Sequence, residues 1–355
     1  MFRTTTALRS PIAFMVFGLI LGAQTVTACR SGTVEADGPA RELRLGYLAN
    51  LTHAPALIAV DGALQEELGP AVTLQTKVFN AGPSIIEALF AGELDAAYIG
   101  PSPAINGYQR SRGEALRVVS GATTGGAQLI AHPRANLVTA ADLAGARVAS
   151  PQLGGTQDVA LRAYLEANGL RPKEKGGSVR VLPTENANIL TLFQKGELDA
   201  AWVPEPWASR LVIEAGGTVL VDESDLWPGG VFVTTAIVVR TEFLERNPGA
   251  VAALIRANLR AIDLTHTDPN TAKSLVNRQI EALTGKALPP AVLERAWGNL
   301  RFTYDPIAAS WTVLAARAYE LGMLGHTRPD ISALFEFAPL NAVLQERQLP
   351  VVNAR

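Results

Sequence analysis

Ile85–Ala104 reads IIEALFAGELDAAYIGPSPA, and Ile189–Ala208 reads ILTLFQKGELDAAWVPEPWA. Both stretches run from an apolar segment through Gly-Glu-Leu-Asp-Ala-Ala to an aromatic residue, a β-branched residue and a proline-bearing turn. The glycine reads as a helix stop, and the short apolar run behind it reads as a buried strand. Two copies are too few for a solenoid. They fit two equivalent α/β lobes, each with a helix, a stop, and a strand whose end feeds the next helix.

The surrounding sequence extends this pattern. Before the first copy, Arg41–Tyr47 and Val72–Phe79 alternate as strands, with loop and helix over Leu51–Leu68 between them. Leu116–Ser120 and Gln128–His132 read as further strands. Asp142-Leu143-Ala144-Gly145 restarts the series, with a strand at Arg147–Ser150, a helix over Thr156–Asn168, and strands at Val179–Leu182, Ala200–Val203 and Thr218–Val221. Val231–Arg240 is a longer β-rich run, and the chain beyond it reads as helical. Strands alternating with helices at this spacing predict an α/β fold with mostly parallel sheets and a helical C-terminal region.

Composition narrows the function. The 355 residues are 48% hydrophobic and 18% charged, with a formal net charge of −2. That is ordinary globular material without the basic stripe that nucleic acid requires. Arg3 and Arg9 precede an apolar run, Pro11–Ala23, that is short for a membrane span. Together they read as a secretory signal over residues 1–28. Val26-Thr27-Ala28-Cys29 resembles a bacterial lipobox, which makes Cys29, the single cysteine, the expected lipidation site. Residues 29–41 are small and polar, as a flexible tether is.

Local catalytic signatures are missing from the sequence, and only a triad assembled from distant residues stays open. His53, His132, His266 and His326 are scattered without metal-ligand spacing. No phosphate-loop or dinucleotide glycine pattern occurs, and Gly100-Pro101-Ser102-Pro103-Ala104 lacks the second glycine of a nucleophile elbow. The expectation is a binding protein with no catalytic residue, metal or cofactor. Three strand-terminal turns suit anion capture, because helix N-termini there present unpaired amides and partial positive charge. These are the Ser102 turn, the Ser150–Asp158 segment with Gly155 and Thr156, and Thr123-Thr124-Gly125-Gly126. Thr156 is expected to cap its helix, and Asp158 to complement that helix end rather than touch ligand. Glu205 and Trp207 occupy the places of Pro101 and Pro103 in the repeat. Glu205 could hold a ligand's ammonium group or cap its own helix, and Trp207 could cover an aliphatic portion of ligand or pack in the lobe.

In order along the chain, Leu45-Gly46-Tyr47, Asn80-Ala81-Gly82-Pro83, Gly92-Glu93-Leu94-Asp95, Asp142-Leu143-Ala144-Gly145 and Glu205-Pro206-Trp207 resemble the solute-binding proteins of nitrate/sulfonate/taurine-type ABC importers. The resemblance implies a two-lobed periplasmic-binding fold of type II with the second lobe inserted in the first. Lobe one would comprise residues 42–134 and 232–355, and lobe two residues 135–231. It implies an interlobe cleft faced by Asn50, Thr52, His53, Ser102, Thr123, Thr124, Gly155, Thr156, Asn188, Glu205 and Trp207, with Asn186 as a further candidate. It also implies a monomer, anchored by lipid on the outer side of a bacterial membrane. Such a protein would deliver a small anion, an aliphatic sulfonate or taurine, to an ABC permease and its ATPase. Nitrate, bicarbonate and phosphonate binders remain open, as does a thiamin-pyrimidine-precursor binder or synthase of the same fold.

Overall fold

In the computed structural model, residues 41–353 are described. The chain begins with β1 (Glu42–Leu48), α1 (Ala54–Ile58), α2 (Leu64–Leu68), β2 (Thr73–Phe79), α3 (Gly82–Phe90), β3 (Ala96–Ile99), α4 (Pro101–Arg110) and β4 (Leu116–Gly125). It continues through β5 (Ala127–Ala131), β6 (Arg147–Ser150), α5 (Thr156–Ala167), β7 (Arg180–Pro183), α6 (Asn186–Gln194), β8 (Ala200–Pro204), α7 (Trp207–Ala215) and β9 (Thr218–Asp222). It then forms β10 (Val233–Arg240), α8 (Thr241–Arg246), α9 (Pro248–Thr267), α10 (Pro269–Thr284), α11 (Pro290–Gly298), β11 (Leu300–Phe302), α12 (Ala308–Glu320) and α13 (Ala338–Glu346).

These strands make two sheets, ordered β11-β4-β10-β3-β1-β2 and β7-β6-β8-β5-β9. Apart from edge strand β11, one arrangement occurs twice. β2-β1-β3 and β7-β6-β8 are parallel trios. Each trio is followed by the strand that has just crossed from the other lobe, β10 in one sheet and β5 in the other. Both crossing strands pair antiparallel with both neighbours. The sheets are therefore mixed rather than mostly parallel. A chain that leaves one lobe and re-enters at the same end must reverse direction relative to the trio it joins.

The crossing also falls earlier than the boundary at 134. β5 already belongs to the second sheet, so the chain passes over at Gly125-Gly126, both in the left-handed region at φ 73° and 71°. The return lies between Asp222 and Val233.

The repeated sequence has a structural meaning that its helix–strand reading did not include. Asp95 accepts the backbone N–H of Arg44 at 2.9 Å and binds its guanidinium at 2.9 and 2.6 Å. Asp199 does the same to Arg147 at 2.7, 3.0 and 2.8 Å. Each arginine also donates to the carbonyl of the repeat's glycine, Gly92 or Gly196. The aspartate thus ties the start of the third strand in each trio to the start of the first.

The four residues Ala96–Ile99 are fully buried, as are Ala200–Val203. Tyr98 faces a core that includes Leu45, Leu254 and Ile262, whereas Ile99 faces another that includes Ile85, Ile105 and Trp311. In the second lobe Trp202 packs with Leu161 and Leu165, and Val203 with Ile189 and Leu211. Strands covered on both faces carry this continuous apolar pattern. The matched aromatics each find one polar partner, Tyr98 Oη at Asn258 Oδ1 (3.1 Å) and Trp202 Nε1 at Glu223 Oε2 (2.8 Å).

Candidate functional site

The carboxyl ends of the parallel trios converge on a narrow cleft of about 50 Å³. The first lobe contributes the segment after β1 (Leu48, Asn50, Thr52, His53) and the start of α3 (Asn80, Ala81, Gly82). It also contributes the start of α4 (Gly100, Pro103) and Thr234. The second lobe contributes Pro151, Gln152, Gly155, Thr156 and Gln157 at α5, together with Asn186 at α6 and Pro204. No aspartate, glutamate, lysine or arginine is among these lining residues.

Four helices start at this cleft, and none of their N-caps (Ala81, Gly100, Gly155, Glu185) makes a side-chain capping hydrogen bond. Each brings roughly half a unit of positive charge and its unpaired amides. Prolines 101 and 103 remove two donors from α4, so α5 and α6, without proline in their first turns, are the richer amide sources. Thr156 is the first helical residue rather than the cap; Gly155 holds that position with extended geometry. The loop ahead of α5 is held by Asp158, which is fully buried and accepts from Ser150 Oγ (2.8 Å), Gly154 N (3.0 Å) and Arg162 Nε (3.0 Å).

The side chains after β1 are oriented by their neighbours. Thr52 Oγ1 donates to Asn50 Oδ1 at 2.6 Å, which fixes the amide and leaves its NH₂ as the group that can serve a ligand. His53 Nδ1 accepts from the Leu48 amide at 3.3 Å, so the ring proton belongs on Nε2. Burial pushes the His53 pKa down to about 3. The ring is therefore a neutral donor at ordinary pH. Gln152 Oε1 and Asn186 Oδ1 are buried with no hydrogen-bond partner.

Of the residues expected at the cleft, Asn50, Thr52, His53, Gly155 and Thr156 line it together, as does Asn186. The others do not. Ser102 lies one residue inside α4, buried, with a hydroxyl that has no protein partner. Thr123 and Thr124 are not in a loop, because β4 continues to Gly125. Thr123 is fully buried in that strand, opposite Thr235. Thr124 lines a separate cavity beside Trp297 and Arg301. Asn188 is exposed on α6, two residues past the cleft-lining Asn186.

Glu205 turns away from the cleft toward the crossing segment at Gly126. Its amide donates to the Gly126 carbonyl at 2.8 Å. Its carboxylate accepts from Ser209 N (3.0 Å), Ser209 Oγ (2.9 Å), Asn299 Nδ2 (2.7 Å) and Arg295 Nη1 (3.2 Å). Burial still raises its pKa against these bonds. Glu205 thus fills the N-terminus of its own helix α7, and this is why α7 does not present a fifth open helix end. Trp207 is half-buried beneath the Arg210 guanidinium, 4.8 Å from the ring centroid, in a neighbouring groove with Ile280 and Pro289.

The sequence marks Asn80–Gly82 only as a motif before a helix and does not single out Gly100 or Thr234. The signal for the first was available, since Asn80-Ala81-Gly82-Pro83 also follows a strand and opens a helix. Cys29 and the segments before residue 41 lie outside the described residues.

Comparison with known proteins gives three findings. The profile of the NMT1-like family matches residues 36–280. The taurine-binding periplasmic protein of Escherichia coli (strain K12) is 28% identical over 209 residues, 58% of this chain and 62% of that protein. Two solved structures share the fold. The alkanesulfonate-binding protein SsuA from Xanthomonas axonopodis pv. citri, bound to MOPS, has a TM-score of 0.71 at 21% identity, covering 85% of this chain and 100% of that one. The periplasmic nitrate-binding protein NrtA from Synechocystis PCC 6803 has a TM-score of 0.74 at 17% identity, covering 88% and 90%.

Proposed function

The chain belongs to the NMT1-like family, and from that premise we propose that it is the extracytoplasmic solute-binding component of an ABC importer, taking a small oxyanion of the sulfonate or nitrate type into its interlobe cleft. The observation that carries this reading is the convergence of four uncapped helix N-termini from both lobes on a cleft with no charged side chain. Partial charges and neutral donors favour an anion there, and the exposed Glu185 carboxylate beside the cleft is engaged by Asn80 Nδ2. The names of the similar proteins, a taurine binder, an alkanesulfonate binder and a nitrate binder, support the same ligand class and a carrier rather than an enzyme.

Taurine itself fits less well. Its sulfonate would meet the helix ends, but Glu205, the carboxylate expected for its ammonium group, is sequestered by Arg295 and Asn299. A simple sulfonate or nitrate needs no such partner. The Cys29 lipid anchor and the partnership with a permease and its ATPase are part of the same proposal. Replacement of Cys29 by Ser should release the protein from membranes.

The test is a thermal-unfolding screen with nitrate, methanesulfonate, taurine, bicarbonate and a neutral and a cationic control. A bound anion at a hundredfold excess over its dissociation constant should stabilise by about 2.7 kcal/mol. Asn50→Asp, which places a carboxylate among the helix ends, should abolish the shift. Stabilisation by the neutral or cationic compound alone would overturn the anion reading.

A further inference from the structure

Gly100 is the N-cap of α4, at φ −71° and ψ 155°. Any L-residue adopts that conformation, so the backbone does not ask for glycine. Space does. A Cβ built on Gly100 would lie 2.5 Å from Thr156 Oγ1 and 3.5 Å from Thr156 Cβ. Thr156 belongs to the other lobe. It is the first residue of α5, and its turn is fixed by the buried Asp158. Both residues line the cleft.

Two other contacts close the same face. Val159, one turn further along α5, is seated in the first-lobe core with Ala104, Ile105 and Trp311. Asn80 Nδ2 donates to Glu185 Oε1 at 3.2 Å across the cleft. At the Gly100–Thr156 approach a methyl group on Gly100 would have to displace the Thr156 hydroxyl.

We infer that Gly100 is the closure-limiting residue. The missing side chain lets the N-termini of α4 and α5 come together, and that approach sets the size of the closed cleft. The space that remains between them is small, about 50 Å³. The ligand class selected in the closed state is therefore a compact oxyanion head, with larger anions excluded by the same contact. This rests on the anion-binding reading above and adds to it a specificity-determining position.

The experiment is a double-mutant cycle on the full chain with Gly100→Ala, Thr156→Ala and the pair. Dissociation constants for nitrate and methanesulfonate are measured by calorimetry, and the radius of gyration with and without each anion by small-angle scattering. Gly100→Ala should weaken both anions by about tenfold or more, as an overpacked contact does, and leave an expanded particle at saturating anion. Thr156→Ala alone should weaken binding by losing its hydroxyl. In that background, however, the Gly100 substitution should cost less than about twofold, because the clash is gone. Wild-type affinity and compaction in Gly100→Ala, or the same loss with and without Thr156, would overturn the inference. If the wild-type chain takes up neither anion, the functional reading fails on its own. The closure inference is then decided by crystal structures of wild type and Gly100→Ala, where an unchanged separation of the α4 and α5 N-termini overturns it.

Discussion

Two residues show how burial decides a role that residue type leaves open. A glutamate and a tryptophan at the end of β8 are plausible ligand contacts from sequence, yet Glu205 is fully buried and satisfied within the protein. Arg295 should then matter to stability. Arg295→Ala removes the cationic partner of a buried carboxylate that keeps its bonds from Ser209 and Asn299, and is expected to destabilise by about 1.5–3 kcal/mol in chemical denaturation. Glu205→Gln should leave the ratio of taurine to methanesulfonate affinity unchanged; a selective loss of taurine would return Glu205 to the ligand. His53 gives the second case. Its pKa is held down near 3 by burial, so the ring stays neutral and gains no charge as pH falls from 8 to 6. Anion affinity measured by calorimetry should be flat over that range as far as His53 is concerned, and a rise that disappears in His53→Gln would contradict the assignment.

At the scale of elements, the repeated Gly-Glu-Leu-Asp-Ala-Ala announced two equivalent halves, and two sheets of matched order follow from it. What it did not announce was the partner of its aspartate. Arg44 and Arg147 stand far from the repeats in sequence, and nothing local in Glu42–Leu48 or Arg147–Ser150 signals an ion pair. The two pairs predict graded stability effects. The Asp95 side chain is 3% exposed and that of Asp199 26%. Asp95→Asn should cost about 2 kcal/mol, within the range for hydrogen bonds to charged groups, and Asp199→Asn less. Equal or reversed losses in urea denaturation would contradict this reading.

The turns after strands were equally legible where the helix began at once, as at Thr156. They were misread where a strand ran on, as at Thr123-Thr124, because a bulged antiparallel strand ending in two glycines looks like a loop. The inward or outward aim of Glu205 could not be read at all, since it depends on Arg295 and Asn299 arriving from a helix some ninety residues away.

For the whole molecule, the return crossing carries a buried acid. Glu223, just after β9, accepts Trp202 Nε1 at 2.8 Å. Burial pushes its pKa up to about 7, opposed by Trp202, Trp227 and the charge of Arg317. Arg317 lies on α12 in the first lobe and stacks 4.4 Å from the Trp227 ring. A carboxyl whose folded pKa exceeds its unfolded value holds its proton longer in the folded state. Its contribution is therefore complete below about pH 4.5 and is lost as pH rises through 7, by at most about 3 kcal/mol. Melting temperatures of the wild type and Glu223→Gln between pH 4.5 and 8 should show this decline only in the wild type. Parallel profiles would contradict it.

All of these effects surround one central claim, that helix ends from the two lobes hold an anion between them. The most direct measurement is a crystal structure grown with saturating methanesulfonate. The account predicts sulfonate oxygens within hydrogen-bond reach of the first-turn amides of α5 and of Asn50 Nδ2, with Glu205 still bound to Arg295. A sulfonate found outside the cleft, or a ligand ammonium or other cation seated among those helix ends, would contradict it.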